Sequence, residues 1–137
     1  YRQALAEYGI TPDKNWVISV PFNEEGGERA AHQLLNCGIP FTAAVTFNDV
    51  MAAGIMRILH QQGITLPQQL SIVGFDDVVM ARYLYPALTT MHYPVERMAR
   101  CASQLAIQLF KGATQRPSVN SFTAELVIRD SVLPPSL

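Results

Sequence analysis

Short apolar segments alternate with amphipathic segments along almost the whole chain, and this alternation limits the possible folds more than any other feature. β-Branched and aromatic side chains predict extended segments at residues 16–20, 42–47, 70–75, 89–93 and 122–128. Between them, apolar side chains recur at helical spacing. Strands separated by helices favour an α/β fold with a doubly wound parallel sheet.

The composition fits one folded domain that does not itself bind nucleic acid. The chain has 137 residues, of which 49% are hydrophobic and 15% charged, so a substantial core can form. The chain has ten basic and eleven acidic residues, which gives a net charge of −1. The only lysines are Lys14 and Lys111, whereas DNA-reading domains concentrate basic residues against phosphates. Any contact with DNA is therefore expected to come from a segment outside this chain.

The two cysteines are predicted to be structural. Cys37 and Cys101 lie far apart on apolar helical faces, and neither has a second Cys or His at metal-ligand spacing. Buried free thiols are expected at both positions, with no metal and no cofactor. We find no apolar run long enough to cross a bilayer and no signal segment. The chain starts within a helical pattern, so we expect a preceding segment.

Polar and aromatic side chains follow three of the predicted strands. In open α/β sheets ligands bind at the carboxyl ends of the strands. Here these ends hold Phe22, the pair Asn48-Asp49 and the pair Asp76-Asp77. Carboxylates and amides suit adjacent hydroxyl groups, and an aromatic ring packs on the apolar face of a sugar. The sequence therefore predicts a site for a small polar ligand such as a neutral polyol.

Each of these residues also has a purely structural interpretation. Asn48 or Asp49 is a suitable cap for the helix that follows. Phe22 is also typical of a core residue at the end of a strand. Asp76 and Asp77 are also typical of a turn after a strand. These alternatives stay open from the sequence alone.

Enzymatic interpretations find little support in the motifs. The chain has no Gly-x-Ser-x-Gly elbow, no Walker loop and no Gly-x-Gly-x-x-Gly fingerprint. Its three histidines, His32, His60 and His92, are dispersed, and His32 and His60 are expected on solvated helix faces. A receiver-type phosphoacceptor site is rejected because the acidic pair comes late and no lysine follows a predicted strand. We therefore predict that the chain is not an enzyme.

Several segments resemble, in order, the effector-binding core of LacI/GalR transcriptional regulators. The family's TAxxxxND-xMAxG motif is similar to residues 41–54, and its LVxRxSV closing strand to residues 125–132. Between them the resemblance covers residues 63–67, 70–77, 81–83 and 86–90, so it spans nearly the whole chain. The segment Thr-Thr-Met-His-Tyr-Pro at residues 89–94 is most similar to galactose-type repressors.

The resemblance implies a two-lobed fold like that of type I periplasmic binding proteins, with the effector held between the lobes. Residues 1–137 would be an incomplete effector-binding domain, with residues 1–89 and 118–133 in the carboxyl-terminal lobe. The helix at residues 94–112 would belong to a second lobe outside the chain, so we expect its apolar face to lack an intramolecular partner. A family arginine that binds the effector would lie just before residue 1.

The resemblance also assigns roles to individual residues. Asn48 matches the ligand-binding amide, Asp76 the ligand-binding aspartate and Phe22 the aromatic that stacks on the effector. Tyr93 stands where many relatives carry a ligand-contacting glutamine. Part of the family's dimer surface matches Arg82, Tyr83, Leu84 and Tyr85.

The resemblance implies a sugar-responsive repressor of the cytoplasm. The expected partners are a sugar, with galactose as the candidate, a second copy of the chain in a homodimer, and operator DNA. DNA would be reached only through a headpiece outside the chain, and no membrane contact is expected. The alternative is a periplasmic sugar-binding protein of an uptake system.

Overall fold

The computed structural model describes residues 1–112 and 121–134. Its elements alternate between helices and short strands, with a 3-10 turn before the second helix and another before the third strand. They are α1 (Arg2–Glu7), a 3-10 turn (Lys14–Trp16), α2 (Glu24–Asn36), β1 (Ala43–Val45), α3 (Asp49–Gln61), β2 (Ser71–Val73), a 3-10 turn (Val79–Arg82), β3 (Thr90–His92), α4 (Val95–Phe110) and β4 (Glu125–Val127).

The parallel part of the sheet is built on β2. Strands β1 and β2 pair in parallel, with Ala43 opposite Ser71 and Val45 opposite Val73. On its other side β2 makes a parallel bridge from Val73 to Thr89. Ile72 is fully buried, as expected for a strand covered on both faces. The parallel α/β arrangement is therefore confirmed.

A second sheet was not predicted. Strands β3 and β4 pair antiparallel, with Thr90 opposite Val127 and His92 opposite Glu125. The extended segments predicted at residues 89–93 and 122–128 are thus both real, although shorter than expected. Residues 118–120, which the resemblance assigns to the carboxyl-terminal lobe, lie outside the described part of the chain.

The prediction that residues 16–20 form a strand of the sheet is wrong. A 3-10 turn covers Lys14–Trp16, and residues 17–20 pair with no strand among those described. Exposure nevertheless alternates here, because Val17 and Ser19 are exposed while Ile18 and Val20 are half-buried. The segment therefore has the side-chain pattern that the sequence indicated, but it lacks a hydrogen-bonded ladder.

The core lies between the sheet and two closely packed helices. Gly27 of α2 is buried against Met51 of α3, and a Cβ at this position would collide with the Met51 carbonyl oxygen. Helix α2 can approach α3 so closely because this side chain is missing. The buried hydrophobic side chains that form one core cluster are Ala30, Ala31, Ala52, Ile55, Met56, Ile58, Leu59, Leu70, Ile72, Ala81 and Leu88.

Helix α4 contributes nothing to this core. None of its residues is buried, and Val95, Met98, Ile107, Leu109 and Phe110 are exposed although they are large and apolar. Among residues 1–112 and 121–134, this agrees with the expectation that the apolar face of the helix lacks an intramolecular partner. Its assignment to a second lobe stays a prediction.

The prediction of buried cysteines is wrong for Cys37. This residue caps the carboxyl end of α2, where its Sγ–H donates to the carbonyl oxygen of Leu34 at 3.0 Å, and it is exposed. The apolar stripe of α2 ends before Cys37, so the residue lies beyond the buried face. Cys101 on α4 is partly buried.

Candidate functional site

The carboxyl ends of β1 and β2 bring two of the predicted site residues to one edge of the sheet. The backbone N–H of Asp49 donates to the carbonyl oxygen of Phe75 at 2.8 Å. This bond joins the start of α3 to the segment that leaves β2. Asn48 and Asp76, which are far apart in the sequence, therefore lie on neighbouring loops.

Asn48 caps helix α3. Its Oδ1 accepts a hydrogen bond from the backbone N–H of Met51 at 2.9 Å, and its Nδ2 donates to the carbonyl oxygen of Phe22 at 3.3 Å. An asparagine amide has two N–H groups and two lone pairs on its oxygen. The described contacts use one of each, which leaves one donor and one acceptor for a ligand. The capping interpretation is thus confirmed for Asn48 and wrong for Asp49.

Phe22 is a surface side chain and not a core residue. It is 67% exposed, and its ring stacks on that of Phe47 with centroids 4.5 Å apart. The hydrogen bond from Asn48 to the Phe22 backbone ties this aromatic pair to the edge that carries the polar residues. The site therefore combines an exposed apolar surface with hydrogen-bonding groups, as a sugar site requires. Phe47 was not singled out in the sequence.

Asp76 and Asp77 form a turn, but their carboxylates differ in surroundings. Both residues have positive φ angles, 115° and 52°. The Asp77 carboxylate is bound to Arg129 at 2.6 Å and lies 3.2 Å from Nδ1 of His92. Only 13% of the Asp77 side chain and 15% of the Arg129 side chain are exposed. Asp77 is therefore committed to an internal ion pair.

The Asp76 carboxylate faces Tyr93 instead. The negative charge of Asp76 raises the pKa of the Tyr93 phenol, with a smaller contribution from burial. The Tyr93 ring also lies 5.6 Å from that of Phe75. No ion pair is found for Asp76 in residues 1–112 and 121–134. Asp76 is thus the carboxylate of this turn that can accept hydrogen bonds from a ligand.

The family of the chain follows from its match to a known domain. Residues 1–132 match the model of a periplasmic binding protein-like domain. The chain belongs to this family. The HTH-type transcriptional regulator GalR of Escherichia coli K12 is 44% identical over 137 residues, which is 100% of this chain and 40% of that protein. The chain therefore spans about 40% of the length of this curated relative.

Solved structures of LacI-family regulators share the fold. A sugar-binding transcriptional regulator of the LacI family from Escherichia coli, complexed with phosphate, matches with a TM-score of 0.88 and 34% identity, over 98% of this chain and 48% of that chain. A LacI family transcriptional regulator from Enterococcus faecium with bound ribose matches with a TM-score of 0.85 and 26% identity, over 98% of this chain and 50% of that chain. These relatives are transcriptional regulators and not enzymes.

The residues matched to the family's dimer surface lie mostly in solvent. Arg82 is exposed, as are Tyr83 and Tyr85, whereas Leu84 is half-buried and packs against the core. Tyr85 is 98% exposed. Three of the four residues are therefore accessible to a partner, and Leu84 anchors the segment.

A cavity of about 870 Å³ lies beside the site but does not contain its polar residues. It separates residues 15–20 from β1 and is lined by Trp16, Phe22 and Phe47 among other apolar side chains. Asn48, Asp76 and Tyr93 do not line it. We place the candidate ligand site at these polar residues and not in the cavity, because an apolar pocket offers a polyol few hydrogen bonds.

The described residues give no indication of a metal site or a membrane span. In residues 1–112 and 121–134, no group of three His, Cys, Asp or Glu side chains could hold a metal ion. Among the helices in this part of the chain, none is both long enough and apolar enough to span a bilayer. His32 and His60 are exposed, as predicted from the sequence.

Proposed function

We propose that the chain is the effector-binding and dimerisation part of a LacI/GalR-type transcriptional repressor that responds to a sugar. The observation that carries this proposal is that the two carboxylates of the turn at Asp76 and Asp77 have different partners. Asp77 is held by Arg129, whereas Asp76 has no ion pair among the described residues, lies beside Tyr93 and is on the loop next to the one that carries Asn48. This set can bind adjacent hydroxyls and cover one apolar sugar face.

Each site residue has a defined role in the proposal. Asp76 accepts hydrogen bonds from sugar hydroxyls, and Asn48 supplies one donor and one acceptor beside it. Phe22 packs on the sugar ring. Tyr93, whose phenol pKa is raised further by the negative charge of Asp76, adds a neutral hydroxyl at the rim. Galactose is the proposed sugar, because residues 89–94 are similar to galactose-type repressors and GalR is among the relatives.

The proposed output is a change in the arrangement of two lobes. The sugar binds one arrangement more tightly than the other, and it shifts the population by that difference in affinity. In this proposal residues 1–89 and 118–133 belong to the carboxyl-terminal lobe, and the helix at residues 94–112 packs on a second lobe. A homodimer formed through Arg82, Tyr83, Leu84 and Tyr85 passes the change to headpieces that bind operator DNA. No metal or cofactor takes part, and the protein acts in the cytoplasm.

Calorimetry of the complete protein against a panel of sugars that includes galactose and fucose tests this function. Saturable binding of one sugar, with a matching change in affinity for operator DNA, is expected. Binding of a sugar by a protein that carries a secretory signal and no DNA-binding headpiece would instead support the alternative, a periplasmic protein of an uptake system. Hydrolysis of a sugar glycoside would indicate an enzyme.

A further inference from the structure

The carboxylate of Asp49 is completely buried next to the proposed sugar site, although no role in binding is assigned to it. Asp49 is 0% exposed and is the first residue of α3, directly after Asn48. Burial raises the pKa of this carboxyl group, whereas its hydrogen bonds from Thr90 and Val78 lower it. The nearby carboxylates of Asp76 and Asp77 raise it further. Burying a carboxylate costs free energy unless hydrogen bonds compensate for the lost water contacts.

Asp49 holds both ends of the turn that carries Asp76. Its backbone N–H donates to the carbonyl oxygen of Phe75 at 2.8 Å, on the amino side of Asp76. Its Oδ2 accepts the backbone N–H of Val78 at 2.9 Å, on the carboxyl side. One residue thus fixes the backbone on both sides of the turn, and that residue is the direct neighbour of Asn48.

The other carboxylate oxygen connects the turn to strand β3. Asp49 Oδ1 accepts the hydroxyl of Thr90 at 2.5 Å, and Thr90 is fully buried. The backbone N–H of Asp77 lies 3.4 Å from the same hydroxyl. The carboxylate also fills the space above Gly74, where a Cβ would collide with Asp49 Oδ1.

The turn needs such support because its backbone is strained. Asp76 has φ 115° and Asp77 has φ 52°, values that L-residues adopt only when surrounding contacts stabilise them. Without the contacts from Asp49, the buried N–H of Val78 would lose its acceptor, and the turn could relax. A relaxed turn would move the Asp76 carboxylate relative to Asn48.

We propose that Asp49 is a positioning residue of the sugar site, which sets the spacing between Asn48 and Asp76 by holding both ends of the Asp76 turn. This inference rests on the proposed function. It assigns to Asp49 no contact with the sugar, because the carboxylate is enclosed by Thr90, Val78 and Gly74.

Two substitutions at Asp49 separate hydrogen bonding from shape in the complete protein. Asp49→Leu keeps the branched shape but removes both acceptors. Asp49→Asn keeps an oxygen for the Val78 N–H and can direct its NH₂ to the Thr90 hydroxyl, which then acts as an acceptor. With D-galactose as the probe, Asp49→Leu is expected to weaken binding by about tenfold or more, and Asp49→Asn by about threefold or less.

The matched control is Ser71→Ala. Ser71 is a buried polar residue whose hydroxyl pairs with the backbone of Leu133, at the opposite end of β2 from the site. This variant should lose stability without losing affinity for D-galactose. If Asp49→Leu does not fold, Thr90→Val removes one of the same hydrogen bonds with a side chain of equal shape and should weaken binding by roughly threefold to tenfold.

Hydrogen exchange of the Val78 amide gives a readout that does not depend on the sugar. Exchange should be faster in Asp49→Leu than in the unaltered protein, and protection should return in Asp49→Asn. Normal affinity or normal protection in Asp49→Leu would overturn the proposal, as would a failure of Asp49→Asn to restore both. Absence of binding by the unaltered protein to every sugar would contradict the proposed function itself.

Discussion

Asn48 is proposed to have two tasks, capping α3 and binding the sugar, and substitutions can separate them. Its Oδ1 accepts the N–H of Met51 while its Nδ2 donates to Phe22. Asn48→Ala removes both groups. Asn48→Asp keeps the capping oxygen but replaces the amide donor with a second oxygen.

The expected losses of stability differ because aspartate is also a good helix cap. Replacing an amino-terminal cap with alanine costs about 1 kcal/mol in free energy of unfolding. Asn48→Asp keeps the bond to Met51 and places a negative charge at the positive end of α3, which is favourable. Against this, it loses the hydrogen bond to Phe22 and adds a charge next to Asp49. The net loss for Asn48→Asp is therefore expected to be below about 0.5 kcal/mol.

Both variants are expected to lose affinity, and Asn48→Ala more than Asn48→Asp, because alanine also lacks the acceptor oxygen. Both lack the amide donor, and a lost hydrogen bond to a ligand costs about 1–2 kcal/mol, or roughly tenfold in affinity. Urea denaturation measures stability, and calorimetry with D-galactose measures binding. Unchanged affinity in Asn48→Asp would refute the binding role of the amide. Equal destabilisation by both substitutions would refute the separation of the two tasks.

Three further substitutions test the network behind the site. Arg129→Met removes the guanidinium from the largely buried Asp77 and from the carbonyl oxygen of Leu88, so the free energy of unfolding, measured by thermal or urea denaturation, should fall by about 3 kcal/mol. A fall below about 1 kcal/mol would show that water solvates the ion pair. Gly74→Ala places a Cβ against Asp49 Oδ1 and should lower the free energy of unfolding by about 2 kcal/mol or more in the same assay. An unchanged free energy of unfolding would mean that the carboxylate can move away. Folding raises the pKa of the Asp49 carboxyl group, so its contribution to stability is present below the pKa of the unfolded chain and is lost as the pH rises through the pKa of the folded protein. Between these two pKa values, the stability of Asp49→Asn relative to the unaltered protein should therefore increase with pH. A difference in stability that does not depend on pH would contradict the raised pKa of Asp49.

The sequence predicted which side chains lie at the edge of the sheet that carries the candidate site, because helix caps and strand ends are local features. Asn48 precedes an amphipathic pattern and is indeed the cap of α3. Asn23 is the cap of α2 in the same way. Caps of this kind can be predicted because the deciding contacts lie within three residues in the sequence.

Contacts between distant residues could not be predicted in this way. The ion pair of Asp77 with Arg129 and the hydrogen bond of Asp49 with Thr90 join residues that are 52 and 41 positions apart. Residues 16–20 have the correct alternation for a strand, but strand pairing also depends on a partner edge. A signal for Asp49 was its position between the apolar segment at residues 42–47 and the apolar pattern of α3, which places the first turn of the helix near the core.

A crystal structure of the complete protein with the sugar that binds most tightly would test the central claim most directly. We expect the Asp76 carboxylate and the Asn48 amide within about 3.2 Å of sugar hydroxyls, with the Phe22 ring against the apolar face of the sugar. The Asp49 carboxylate should remain bound to Val78 and Thr90. A sugar bound elsewhere, or bound without contact to Asp76, would contradict the account.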